Sequence, residues 1–185
     1  MFINQTWLDN VGMEMPTTWD ELKEVLIAFK EQDANGNGDP NDEIPMDFNG
    51  GFNSPYGLSQ LLGSTGLQIT DPYPTGYFAE DGEVKNIYVD ERFKRTVQFA
   101  QELWSLGLIN EEAITQDYSK FQSLARGEGT TAKVGFTWGW ERGDRFGNEL
   151  MDQYVSVPQL KETPDTEKIC YAYDFYFLNY DGNRV

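Results

Sequence analysis

The sequence predicts an α/β fold, and three observations carry that expectation. Short runs rich in β-branched and aromatic residues alternate along the chain with stretches whose apolar residues recur at helical spacing. Clusters of Gly, Asn, Asp and Pro fall between them, where the chain must turn. The 185 residues are 39% hydrophobic and 15% aromatic, enough for one sizeable core, and no repeat or low-complexity linker divides them.

Residues 4–10 predict a short helix with Trp7, Leu8 and Val11 on one side and Gly12 as its left-handed stop. A second helix starts at Thr18: this residue and Glu21 form a capping box, and Trp19, Leu22, Leu26 and Phe29 follow at helical spacing to about Lys30. The polar, turn-rich stretch 33–43 comes next, then a strand at 44–48, a loop at 49–55 and a helical segment at 56–63. Strands at 77–80 and 84–88 flank Asp81-Gly82, a favoured hairpin pair. Asp90 caps a long helix whose apolar face is read as Phe93, Val97, Ala100, Leu103 and Trp104, and Gly107 ends it. Helices at 119–125 and 144–151 and strands at 132–138, 154–157 and 169–179 complete the order. The pattern does not order the sheet.

Composition excludes several function classes. A net charge of -17 repels phosphate backbones and anionic lipid heads, so neither nucleic acid nor a membrane surface is an expected partner. With no histidine, Ser/His/Asp triads, Cys/His dyads and the usual zinc ligands are gone together. The single cysteine, Cys170, cannot form an internal disulfide and reads as a packed thiol on the last strand. No window approaches the ~18 apolar residues of a membrane span, and no leader opens the chain. Both ends, at Met1 and Val185, are expected to be cuts through a longer chain, with any export signal outside it.

The stretch 33–43 carries the sharpest chemistry. Calcium takes six to eight oxygen ligands, and short oxygen-bearing side chains at every second position, with a glycine for the sharp turn, can wrap one ion. Asp33, Asn35 and Asn37 have that spacing and Gly38 follows at the glycine position. The EF-hand pattern then stops: its twelfth position is Ile44, and Pro45 obstructs an exiting helix. Asp42 and Glu43 can close the cage from the far side. Two carboxylates ~4 Å apart repel by about 4 kcal/mol at an effective dielectric near 20, which a dication would offset. The oxygen-only set favours calcium over transition metals. The competing reading is an exposed polar turn with its carboxylates in solvent.

Two stretches in order, residues 3–22 with Pro16-Thr17-Thr18-Trp19-Asp20-Glu21 and the loop from Asp33 through Asp42-Glu43-Ile44-Pro45, resemble the extracellular solute-binding proteins of bacterial ABC-type carbohydrate importers. The likeness is to the oligosaccharide-binding lipoproteins that carry a calcium loop; Gly135 to Trp140 and Val155 to Pro158 extend it weakly. The resemblance implies a two-lobed, periplasmic-binding-protein-like fold with sugar held between the lobes, of which residues 1–185 form largely the second lobe. It implies calcium ligands at Asp33, Asn35, Asn37, Asp39 through its carbonyl, Asp42 and Glu43, although one additional residue between Gly38 and the acidic pair separates this loop from the commonest form. It further implies a binding protein and not an enzyme, handing oligosaccharide to membrane subunits of an importer, outside the cell and anchored by a lipid beyond this chain.

Sugar recognition needs flat apolar faces for C–H surfaces and planar polar groups for hydroxyls. Trp138 and Trp140 end a predicted strand, and Phe52 and Asn53 follow another, where loops line ligand crevices in α/β sheets. Core or lobe-interface packing competes for each of them, and Trp7, Trp19 and Trp104 are expected in the core. One lobe alone is expected to bind feebly: a micromolar complex needs about 8 kcal/mol, while each aromatic pair adds about 0.5–1.5 beyond area burial. The rivals are a glycoside hydrolase fragment with two carboxylates about 5–9 Å apart, and a dockerin-like calcium module, which would repeat its loop between paired helices.

Overall fold

A computed structural model of the chain describes residues 1–51, 54–67 and 76–167. The expected contacts Phe52 and Asn53, and the expected strand 169–179 with Cys170, lie outside the described residues.

The elements run β1 (Phe2–Asn4), α1 (Gln5–Val11), α2 (Trp19–Glu31), β2 (Ile44–Asp47), a 3-10 helix (Leu58–Thr65), β3 (Tyr77–Glu80), β4 (Glu83–Asn86), α3 (Glu91–Ser105), α4 (Tyr118–Ala125), β5 (Val134–Thr137), α5 (Arg142–Leu150) and β6 (Tyr154–Ser156). Four strands form one mixed sheet in the order β2-β5-β1-β6. β2 runs parallel to β5, with Met46 opposite Phe136, whereas β1 is antiparallel to both β5 and β6. The strand β1 has no signature in the sequence because three residues are too few for a period; pairing on both sides makes it a strand.

The caps behave as their chemistry dictates. Asn4 accepts from the Trp7 amide to start α1. Thr18 and Glu21 form the reciprocal box that starts α2. The β3–β4 turn uses Asp81 at φ 55 and Gly82 at φ 80, the two positive values a tight hairpin requires. The segment expected to be helical at 56–63 is the 3-10 helix, in which the Ser64 and Thr65 hydroxyls donate back to the Leu61 and Leu62 carbonyls.

Helix α3 corrects the expected face. Thr96, Phe99 and Leu103 are buried, while Val97 and Trp104 are 41% and 39% exposed. The helix is turned so that Phe99 stacks on Trp19, ring centres 4.6 Å apart and planes 11° from parallel. Trp104 is thereby excluded from the core in which Trp7 and Trp19 lie. Trp7 meets Phe29 edge-on at 5.2 Å, and Phe146 stacks on Tyr154. One large core joins the sheet to α1, α2 and α3, and a small cluster of Leu62, Leu67, Phe78 and Ile87 sits beneath the hairpin. Among the described residues no helix is long and apolar enough to cross a membrane.

Candidate functional site

Because β2 and β5 are parallel, both end at the same edge of the sheet, the edge at which α/β folds present ligand sites. The chain leaves β2 through Phe48 and Asn49 and leaves β5 through Trp138, Gly139 and Trp140. Helix α4 begins beside them, its N-terminus capped by Asp117, which accepts from the Lys120 amide.

An aromatic shelf covers this edge. Tyr56 lies 5.8 Å from Tyr118 and 5.7 Å from Phe121 by ring centres, and 6.2 Å from Trp140 at an interplanar angle of 84°. Phe121 is the buried base, while Tyr118 and Trp140 are 46% and 54% exposed. Burial, with the neighbouring Tyr118 adding to it, pushes the Tyr56 pKa up to about 12. Trp140 thus offers an indole to solvent. Trp138 does not: it is 3% exposed and packs edge-on against Phe136, two residues earlier on the same face of the chain.

Beneath the shelf lies a buried polar network. Asp47 Oδ1 accepts from Asn110 Nδ2 at 2.9 Å and Gln116 Nε2 at 2.7 Å. Arg145 Nη2 stands 3.9 Å from Asp47 Oδ2 and donates to Thr137 Oγ1 at 3.0 Å. Desolvation dominates both charges: it raises the Asp47 carboxyl and lowers the Arg145 guanidinium to about 10, each opposed by the other's charge. Tyr56, Tyr118, Asp47 and Arg145 escape a sequence reading because four separate segments bring them together. The cap Asp117 just ahead of Tyr118 was the available signal.

The loop 33–43 lies between α2 and β2. Asp33 Oδ1 and Oδ2 accept from the amides of Asn37 and Gly38 at 3.0 and 2.8 Å, and Gly38 adopts φ 93, which a side chain would resist. Asn35 Nδ2 and Asn37 Nδ2 both donate to the Asp42 carboxylate at 2.8 Å. Glu43 Oε1 accepts from the Asn35 amide at 3.3 Å, and Glu43 Oε2 is buried without a partner. Burial, with the charges of Asp42 and Asp33 adding to it, raises the Glu43 pKa. The backbone amides of Asp39 and Asn41 are bound by the side chains of Asn37 and Asp39. Among the described residues no three carboxylate, thiol or imidazole groups gather as a metal centre. The loop gathers carboxylates and side-chain amides into one hydrogen-bonded turn, in which Asn35 and Asn37 present their Nδ2 groups and not their oxygens to Asp42.

No family model matches the chain. Among curated proteins it is 36% identical over 137 residues to the fructooligosaccharide ABC transporter substrate-binding protein FusA of Streptococcus pneumoniae, covering 74% of this chain and 24% of that protein. It is 33% identical over 124 residues to the lipoprotein LipO of Bacillus subtilis, covering 65% of this chain and 23% of LipO. Among solved structures, an extracellular solute-binding protein of Bifidobacterium longum subsp. infantis superposes with a TM-score of 0.81 at 38% identity, over 93% of this chain and 36% of that one. An EF-hand mutant of FusA in complex with fructo-nystose superposes with a TM-score of 0.75 at 30% identity, over 92% of this chain and 32% of that one. The chain therefore spans about a quarter to a third of the length of these relatives. Fold, identity and coverage together make it a homologue of the sugar and oligosaccharide solute-binding proteins of ABC transporters, of which it forms one α/β lobe.

Proposed function

We propose that residues 1–185 constitute one lobe of a receptor that captures oligosaccharide outside the cell and delivers it to the membrane subunits of an ABC importer, without transforming it. The observation that carries this reading is the shelf of Tyr56, Tyr118 and Trp140 at the C-terminal edge of the parallel pair, in a chain 36% identical to a fructooligosaccharide-binding protein. Half-exposed rings offer the flat faces that sugar C–H surfaces need, and a second lobe would close over them. Trp140 is the direct contact and Trp138 supports it from the core; Phe52 and Asn53, expected as further contacts, lie outside the described residues. The likeness to LipO supports a lipid-anchored protein at the cell surface.

The loop 33–43 is proposed to hold a calcium ion. Asp33, Asn35, Asn37, Asp42 and Glu43 supply side-chain oxygens and Asp39 its carbonyl. The ion would offset the repulsion that the Asp42 and Asp33 charges exert on Glu43. The unpartnered Glu43 Oε2 and the all-oxygen donor set support it, as does the EF-hand of FusA.

Calorimetric titration of the complete receptor with kestose and fructo-nystose tests the main reading: micromolar or tighter binding corresponds to about 8 kcal/mol and no sugar product should accumulate. Release of shortened saccharide would overturn it in favour of a hydrolase.

A further inference from the structure

We propose that Arg145 is the positioning residue of the aromatic shelf, an inference that rests on reading the shelf as a saccharide platform. The residue is 1% exposed and reaches the two segments that carry Tyr118 and Trp140, as well as the end of β2. Its guanidinium carbon lies 3.5 Å over the Phe121 ring. Nη1 donates to the Phe121 carbonyl at 2.7 Å and to Gln122 Oε1 at 3.3 Å, tying it to α4 one turn beyond Tyr118. Nη2 donates to Thr137 Oγ1 at the end of β5, three residues before Trp140. Its charge faces Asp47 at the end of β2.

The strand exit rests on the same side chain. A Cβ on Gly139 would sit 3.0 Å from Arg145 Cβ and Cγ, so Arg145 sets the height at which the backbone delivers Trp140. Packing alone does not call for this residue, since methionine fills a similar volume without a charge to desolvate. What arginine adds is a planar fork that stacks on one ring and donates in two directions at once. The spacing between Tyr118 and Trp140, which a sugar ring must match, is thereby fixed before any ligand arrives.

The test compares Arg145→Met, the double variant D47N/R145M and Arg145→Lys in the complete receptor. The double variant removes the carboxylate that the single variant strands in the core, and Arg145→Lys retains the charge but loses the stack and the fork. The readouts are thermal midpoint, the fluorine resonance of Trp140 in 5-fluorotryptophan-labelled protein, assigned by its loss in Trp140→Phe, and kestose affinity. The positioning role predicts that D47N/R145M regains the midpoint lost by Arg145→Met, while in both it and Arg145→Lys the Trp140 line broadens or splits and kestose binds about tenfold more weakly. A narrow, unshifted Trp140 line in both variants overturns the proposal, as does affinity that returns together with the midpoint. If Trp140→Ala leaves kestose affinity unchanged while the Arg145 variants still broaden the line, the platform reading fails and the positioning role stands.

Discussion

Gly135, in the middle of β5, faces Phe29 of α2 so closely that a Cβ there would lie 2.4 Å from Phe29 Cδ2 and 2.9 Å from the Pro45 carbonyl oxygen. The absent side chain lets α2 settle onto the sheet and fixes the depth at which the loop 33–43 leaves the helix. Gly135→Ala forces ring and backbone apart; overpacking of this kind costs about 1–3 kcal/mol. Chemical denaturation should show that loss with little change in m-value, and an unchanged midpoint would mean that the close approach is relaxed in solution.

Calcium should stabilise the fold. At a concentration 100-fold above Kd, binding adds about 2.7 kcal/mol, which in a domain of this size raises the thermal midpoint by roughly 5–10 °C. Chelator should reverse the rise and Asp33→Ala should abolish it. A melt indifferent to both calcium and chelator removes the metal from the reading of this loop.

The two tryptophans after β5 should separate binding from stability. Trp138 is buried, so Trp138→Ala should cost about 3–5 kcal/mol of stability. Trp140 is 54% exposed, so Trp140→Ala should cost about 1 kcal/mol or less and act mainly on saccharide affinity. Equal losses of stability in paired denaturation curves would contradict this division.

Asp47 predicts a pH dependence of definite sign. Its folded-state pKa is raised, chiefly by burial, so between the ordinary aspartate value and that raised value the folded protein binds more protons than the unfolded chain. The contribution of Asp47 is full below its unfolded pKa and is lost as pH rises through the folded one. The stability of the native protein relative to Asp47→Asn should therefore fall as pH rises above the ordinary aspartate range. A difference that stays constant as pH rises from the ordinary aspartate range would show that the carboxyl titrates normally.

The helix starts were legible because a cap is local chemistry. Thr18 and Glu21 meet within one turn, and so do Asp90 and the Arg92 amide. The hairpin was legible for the same reason, since Asp81 and Gly82 carry their own backbone preference. The buried face of α3 was not. Val97 and Phe99 are both plausible core residues in sequence, and only the position of Trp19 on a different helix selects Phe99.

The sequence by itself determined where α1, α2 and α3 begin and which loop is rich in oxygen-bearing side chains. Tertiary structure decided the rest: that Phe2 to Asn4 is a strand, that Trp138 turns inward while Trp140 turns out, and that Arg145 reaches Phe121, Thr137 and Asp47 together. The physical reason is range. Caps and turns are settled by atoms a few residues apart, whereas the parallel pairing of β2 with β5 joins segments about ninety residues apart in the chain, and no local pattern encodes which partner a buried side chain finds there.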